Sequence, residues 1–189
     1  MRRVRAQPLP RPTGRLLVDG TNVAWAWPPV RALLLQRAFG PAQQLLVDRL
    51  AAGGVAAAGG CLVVFDGPPP EGGPTSRGPV GVRYPIPGQS GDDRLLQLIA
   101  ATMHTGLGVQ LITNDRALRD AARGLGATTA GAGALLDRLD PGWRPGRARA
   151  AEVTVGADPK PHPTPRDTDQ WLRRFGQPRD APPDRRATR

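Results

Sequence analysis

Cysteine occurs once in these 189 residues, as Cys61, lysine once, as Lys160, and histidine twice, as His104 and His162. A single cysteine excludes an intramolecular disulfide. Its place at the head of the apolar run 62–65 marks it as a core residue. One thiol and two widely separated imidazoles offer no ordinary zinc set. No apolar run approaches the roughly 18 residues of a membrane span. The opening MRRVRAQPLPRP has the charges of a signal peptide but no apolar stretch behind them. The expectation is a soluble, cytoplasmic protein with no membrane partner.

Proline and glycine are plentiful but uneven. Of the 22 prolines, nine follow residue 140, three precede residue 13 and seven lie between positions 68 and 87. This confines the ordered core to residues 15–140, between a basic, proline-rich tail at 1–14 and a Pro/Arg-rich tail at 141–189 that are expected to be disordered. The two tails carry +9 of the formal net charge of +10, so the core is nearly neutral. A basic periphery around an acidic cleft suits a polyanion held near bound cations; solubilising tails or a compositional bias toward arginine would account for it equally well.

The segments Leu16-Leu17-Val18, Leu62-Val63-Val64-Phe65 and Val109-Gln110-Leu111-Ile112 read as buried strands of a largely parallel sheet. Helices are expected at 30–39, at 41–52 with Pro41 in its first turn, and at 92–103 with Ser90 as cap. Another is expected behind Asp115, with Leu118, Ala121, Ala122 and Leu125 on one face and Gly124 or Gly126 at its end. Residues 67–79 read as an irregular loop, and 80–86 as a short strand that Pro85 places at an edge. A last strand and helix are expected at 127–129 and 134–139. This alternation predicts a three-layer α/β architecture with a mostly parallel central sheet, right-handed crossovers and functional groups at the carboxyl ends of the strands.

Four aspartates stand at that edge. Asp19, Asp66 and Asp115 follow the three strands, and Asp92 opens a helix. Any one alone is an ordinary cap or turn residue, and Asp93 beside the third reads as a first-turn acid. Four in corresponding topological places point to a shared site. Carboxylates brought together repel, and one or more would take up a proton unless a cation neutralised them. Oxygen-only ligands favour Mg²⁺ or Mn²⁺, which would supply a water nucleophile suited to phosphodiester hydrolysis. Asn22, Ser90 and Thr113 are the candidate supporting polar groups, orienting an acid or binding phosphate oxygens. Arg116 foremost, then Arg94, Arg83 and Arg77, are the candidate contacts to a nucleic-acid backbone. Of Trp25 and Trp27, one is expected to pack in the core, with the other open to base stacking.

The segments VDGTN (18–22), VVFDG (63–67), GQSGDDRLLQLI (88–99) and LITNDRALRDAARGLGA (111–127) resemble, in order and spacing, the NYN family of PIN-like nucleases, and YacP-like proteins within it. The resemblance covers roughly residues 15–139. It implies a PIN-like fold, metal-dependent endoribonuclease activity on RNA, and a catalytic, metal-binding acid at each of Asp19, Asp66, Asp92 and Asp115. Asn114 replaces the family's usual serine, Thr21 stands where an aromatic often precedes the asparagine, and Gly91 replaces a common alanine.

Other readings fare less well. Val18-Asp19-Gly20-Thr21 looks like half of the phosphatase motif Asp-x-Asp-Gly-Thr, but Leu17 occupies the nucleophile's position. A DNA nuclease of the flap-endonuclease type would need added helical elements for which this core is too small. The strongest alternative is a non-catalytic RNA-binding module, and a toxin–antitoxin role stays open. In the C-terminal tail, Trp171, Leu172 and Phe175 share one face of a possible short helix at 167–176. That helix would dock on its own core or on a protein or ribosomal partner.

Overall fold

The computed structural model describes residues 14–140 apart from residue 57. The expectations for both tails, including the helix at 167–176, lie outside the described residues. In chain order the elements are β1 (Arg15–Asp19), α1 (Gly20–Ala26), α2 (Pro28–Leu35), α3 (Phe39–Ala52), β2 (Cys61–Val64), β3 (Val80–Arg83), α4 (Gly91–His104), β4 (Val109–Ile112), α5 (Arg116–Gly124), β5 (Thr128–Ala130) and α6 (Ala132–Leu139).

The five strands form one parallel sheet in the order β3-β2-β1-β4-β5. A strand buried on both faces reads as a near-continuous apolar run, and β1 shows how the two faces are filled. Leu16 and Val18 pack with Val23, Trp27, Leu46, Val47 and Leu135. Leu17 points the other way, toward Leu95, Ile99, Leu111, Leu118 and Ala122. Helices α1, α2, α3 and α6 therefore cover one face, and α4 and α5 the other. These are the three layers expected. Cys61 is buried, and burial pushes its thiol up to about 12, which leaves it an inert core residue.

From β1 the chain lays down β2 and β3 on one side, then returns to place β4 and β5 on the other. The reversal lies beside β1. In open α/β sheets such a switch point opens a crevice at the carboxyl ends of the strands.

Local differences from the sequence pattern have physical causes. Residues 20–26 are a helix rather than a loop, because Asp19 accepts the amide of Asn22 and so starts α1 immediately after β1. Pro28 opens α2 two residues before the expected start. On α5 only Leu118 and Ala122 are buried, while Ala121 and Leu125 face outward. Gly126 takes the left-handed conformation, with φ of 89°, that turns the chain from α5 into β5. Strand β3 lies at the sheet edge, as Pro85 predicts.

Candidate functional site

Asp19 ends β1 and is only 5% exposed. Its Oδ1 accepts the Asn22 amide at 3.0 Å, and its Oδ2 accepts the Thr113 hydroxyl at 2.8 Å. Burial pushes its pKa up from 3.8 to about 6; the two hydrogen bonds oppose the shift, and the charges of Asp66 and Asp92 add to it. Those two carboxylates are therefore near enough to be felt across the crevice.

The same strand-to-helix turn places Asp115. Its Oδ1 accepts the Leu118 amide at 3.0 Å, capping α5. Its own amide donates to Thr113 Oγ1 at 3.0 Å. One fully buried hydroxyl thus accepts a hydrogen bond from the backbone amide of Asp115 and donates one to Asp19. Thr113 joins the ends of β1 and β4 from inside the protein and offers nothing to a phosphate, in contrast to one of the roles expected of it.

Ser90 is likewise spent. Its hydroxyl accepts the Asp93 amide at 3.0 Å and donates to Asp93 Oδ2 at 2.7 Å, and the Ser90 amide also donates to that carboxylate. This reciprocal capping box starts α4. The Ser90 bonds hold the Asp93 carboxyl below the usual carboxylate range. The box places Asp92, half-buried, in the first turn of α4. Asp66, just past β2, is exposed. Its Oδ1 accepts the Gly91 amide at 3.0 Å, and its own amide donates to Thr21 Oγ1 at 2.9 Å.

Asn22 secures the other rim. Its Oδ1 accepts the Asn114 amide at 2.9 Å, while Asn114 Oδ1 accepts the Ala132 amide, also at 2.9 Å. Asn114 therefore caps the start of α6 across 18 residues. Thr21, Gly91 and Asn114 were visible in the sequence only as departures from a family pattern. Their roles depend on partners distant in the chain, which local pattern does not reveal.

The four arginines part company. Arg116 is exposed at the first position of α5, directly beside Asp115. Arg83, also exposed, is level with Val64 in the register of β2 and β3, and its Nη1 donates to the Val82 carbonyl. Arg94 reaches Gln97 along α4. Arg77 is committed elsewhere, pairing with Asp48 of α3 at 2.6 Å, so its expected place in the cleft is not what the structure supports. Trp27 is the packed tryptophan, 2% exposed, and Trp25 is 38% exposed.

Among the described residues, the charged donors at this edge are carboxylate oxygens, which suit a hard divalent cation rather than a soft one. Each Asp19 oxygen accepts one hydrogen bond and has a second lone pair for another. Among the described residues, no three His, Cys, Asp or Glu side chains are gathered tightly enough to hold a metal ion. The acids share one edge without forming a closed cage.

Comparison with known proteins gives one family and one fold. The profile of the YacP-like NYN domain matches residues 16–154. The crystal structure of Bacillus subtilis Rae1 (YacP) is similar, with a TM-score of 0.57 at 24% identity over 85% of this chain and 91% of that one. A point mutant of the same protein gives 0.56 at 23% identity, over 84% and 90%. At such identity the likeness is one of fold. No curated protein matches in sequence. No described helix is long and apolar enough to cross a membrane.

Proposed function

The chain belongs to the YacP-like NYN domain family, and on that premise we propose that it is a metal-dependent endoribonuclease, hydrolysing RNA phosphodiester bonds with water activated at a Mg²⁺ or Mn²⁺ site. The observation that carries this reading is the convergence of Asp19, Asp66 and Asp115 at the carboxyl ends of adjacent parallel strands, with Asp92 in the first turn of α4. A buried carboxylate at the switch point is pushed toward protonation by burial and by two neighbouring acids. A cation bound among these oxygens would favour the ionised carboxylate.

In this reading Asp19, Asp66, Asp92 and Asp115 hold the cation. When bound, it supplies an activated water and stabilises charge on the phosphodiester. Thr113 keeps Asp19 and Asp115 in register, Asn22 ties the β1 side of the crevice to the loop after β4, and Arg116 grips the RNA backbone. Asp19 ends a strand, Asp115 caps a helix and Asp92 lies in a first helical turn, rigid elements that limit the reorganisation needed during reaction.

The test is cleavage of a fluorescent RNA by the full chain with Mg²⁺, Mn²⁺ or EDTA, beside Asp19→Asn and Asp115→Asn. Cleavage is expected only with metal, and each substitution should slow it by about 10²-fold or more. A DNA strand of the same sequence should stay intact; equal cutting of both would make the protein a general nuclease. The absence of a closed acidic cage among the described residues favours a second reading, an RNA-binding module without cleavage. Intact RNA in every metal, with binding retained, would establish it instead.

A further inference from the structure

Three of the four acids are held by the helix they introduce or begin. Asp19 caps α1, Asp115 caps α5, and Asp92 lies in the first turn of α4. Asp66 has no such helix. After it comes Gly67, with φ of 74°, and then the irregular, proline-rich stretch to residue 79. The strand ladder also ends at this point, with the Phe65 amide donating to the Arg83 carbonyl at 3.1 Å. The placement of Asp66 must therefore come from other elements.

We propose that Thr21 and Gly91 are positioning residues for Asp66, fixing the second acid of the crevice from two sides. The consequence for catalysis rests on the function proposed above; the positioning itself does not. Thr21, in the first turn of α1, accepts the Asp66 amide with its hydroxyl. The backbone is thereby held where the ladder stops. Gly91, the first residue of α4, donates its amide to the Asp66 carboxylate. A methyl group at position 91 would collide with that same Oδ1, so the approach requires glycine. The atom in collision belongs to the acid itself, and an alanine there would displace the carboxylate. Backbone and side chain of Asp66 are each tied once, to helices on opposite faces of the sheet.

The residues act as a pair, because either tie alone leaves rotation about the other. Misplacing a reacting group by about 1 Å costs on the order of 10²-fold in rate, while substrate contacts elsewhere are untouched. The signature is a loss in kcat with KM preserved.

The experiment uses the full chain with Thr21→Val, Thr21→Ser, Gly91→Ala and the Thr21→Val/Gly91→Ala double variant, compared with wild type and Asp66→Asn. Hydrogen exchange of the Asp66 amide and the carboxyl carbon resonances of the aspartates are followed by NMR, without metal. Thr21→Val should speed exchange of the Asp66 amide by about tenfold or more, and Thr21→Ser should restore it to within about threefold. Gly91→Ala should move the carboxyl resonance of Asp66 and leave that of Asp115 in place.

In single-turnover cleavage, Thr21→Val and Gly91→Ala should each lower the rate at saturating RNA by about tenfold or more, with half-saturation within about threefold of wild type. The double variant should be little worse than the poorer single one. Unchanged Asp66 exchange in Thr21→Val, or an equal defect in Thr21→Ser, would overturn the positioning, whether or not RNA is cut. Asp66-dependent cleavage at full rate by Thr21→Val would overturn its catalytic consequence and leave the proposed function standing. No cleavage by wild type would sink the function, with the resonances alone deciding the positioning.

Discussion

Asp19 carries a cost that the fold accepts. An acid whose folded-state pKa, here about 6, exceeds its ordinary 3.8 holds its proton more tightly when folded. Its contribution to stability is therefore complete below pH 3.8 and is lost as pH rises to about 6. A displacement of this size corresponds to about 3 kcal/mol. In EDTA, Asp19→Asn should remove that slope, so the variant gains on wild type between pH 4 and 6 in urea or thermal unfolding. A gap between the two that stays constant with pH would contradict the assignment. The placing of Asp19 and Asp115 at the sheet edge was legible because each follows an apolar strand, whereas the cap that Asp19 makes for α1 was not. The burial of Thr113 was not legible, since a hydroxyl looks alike in sequence whether it faces solvent or another side chain. Arg77 misled for a related reason, its partner Asp48 being 29 residues away.

At the scale of elements, the helices that open at the crevice are started by the side chains that define it. Ser90 and Asp93 were readable as a cap and a first-turn acid because a capping box is a local pattern of three-residue spacing. Ser90→Ala should destabilise the chain by about 1 kcal/mol, and Ser90→Asn, another good cap, by less. Urea unfolding checks this, and equal stability of all three would show that α4 needs no cap. Helix α1 escaped notice because its seven residues, GTNVAWA, begin with glycine and are too few to show a period. Its stability comes from packing Val23 and Ala24 under the sheet, which is tertiary rather than local. Helix α5 shows the converse: its pattern implied a wider buried face than Leu118 and Ala122 provide, because apolar Ala121 and Leu125 sit at the solvent edge.

For the whole molecule, strand and helix alternation with apolar runs at β1, β2 and β4 made the parallel sheet and its three layers legible. It did not reveal the strand order, and the order decides the function proposed here, because it sets β1 between β2 and β4 and brings Asp19, Asp66 and Asp115 to one edge. The Thr113 and Asn22 bonds then close β1 against the loop after β4 across that switch point. The pairing of Thr21 with Asp66, 45 residues apart, follows from the same topology, as does the meeting of two departures from the family pattern, Thr21 and Gly91, on one acid. The central claim is that the acids at this edge together capture one kind of hard cation. The most direct measurement is titration of the full chain with Mn²⁺, followed by calorimetry or by the electron paramagnetic resonance of the free ion, at pH 7.5 and pH 5. Binding should be weakened about tenfold or more by Asp19→Asn and by Asp115→Asn, and should weaken in acid as ligand carboxylates protonate. Affinity indifferent to both substitutions and to pH would contradict the claim.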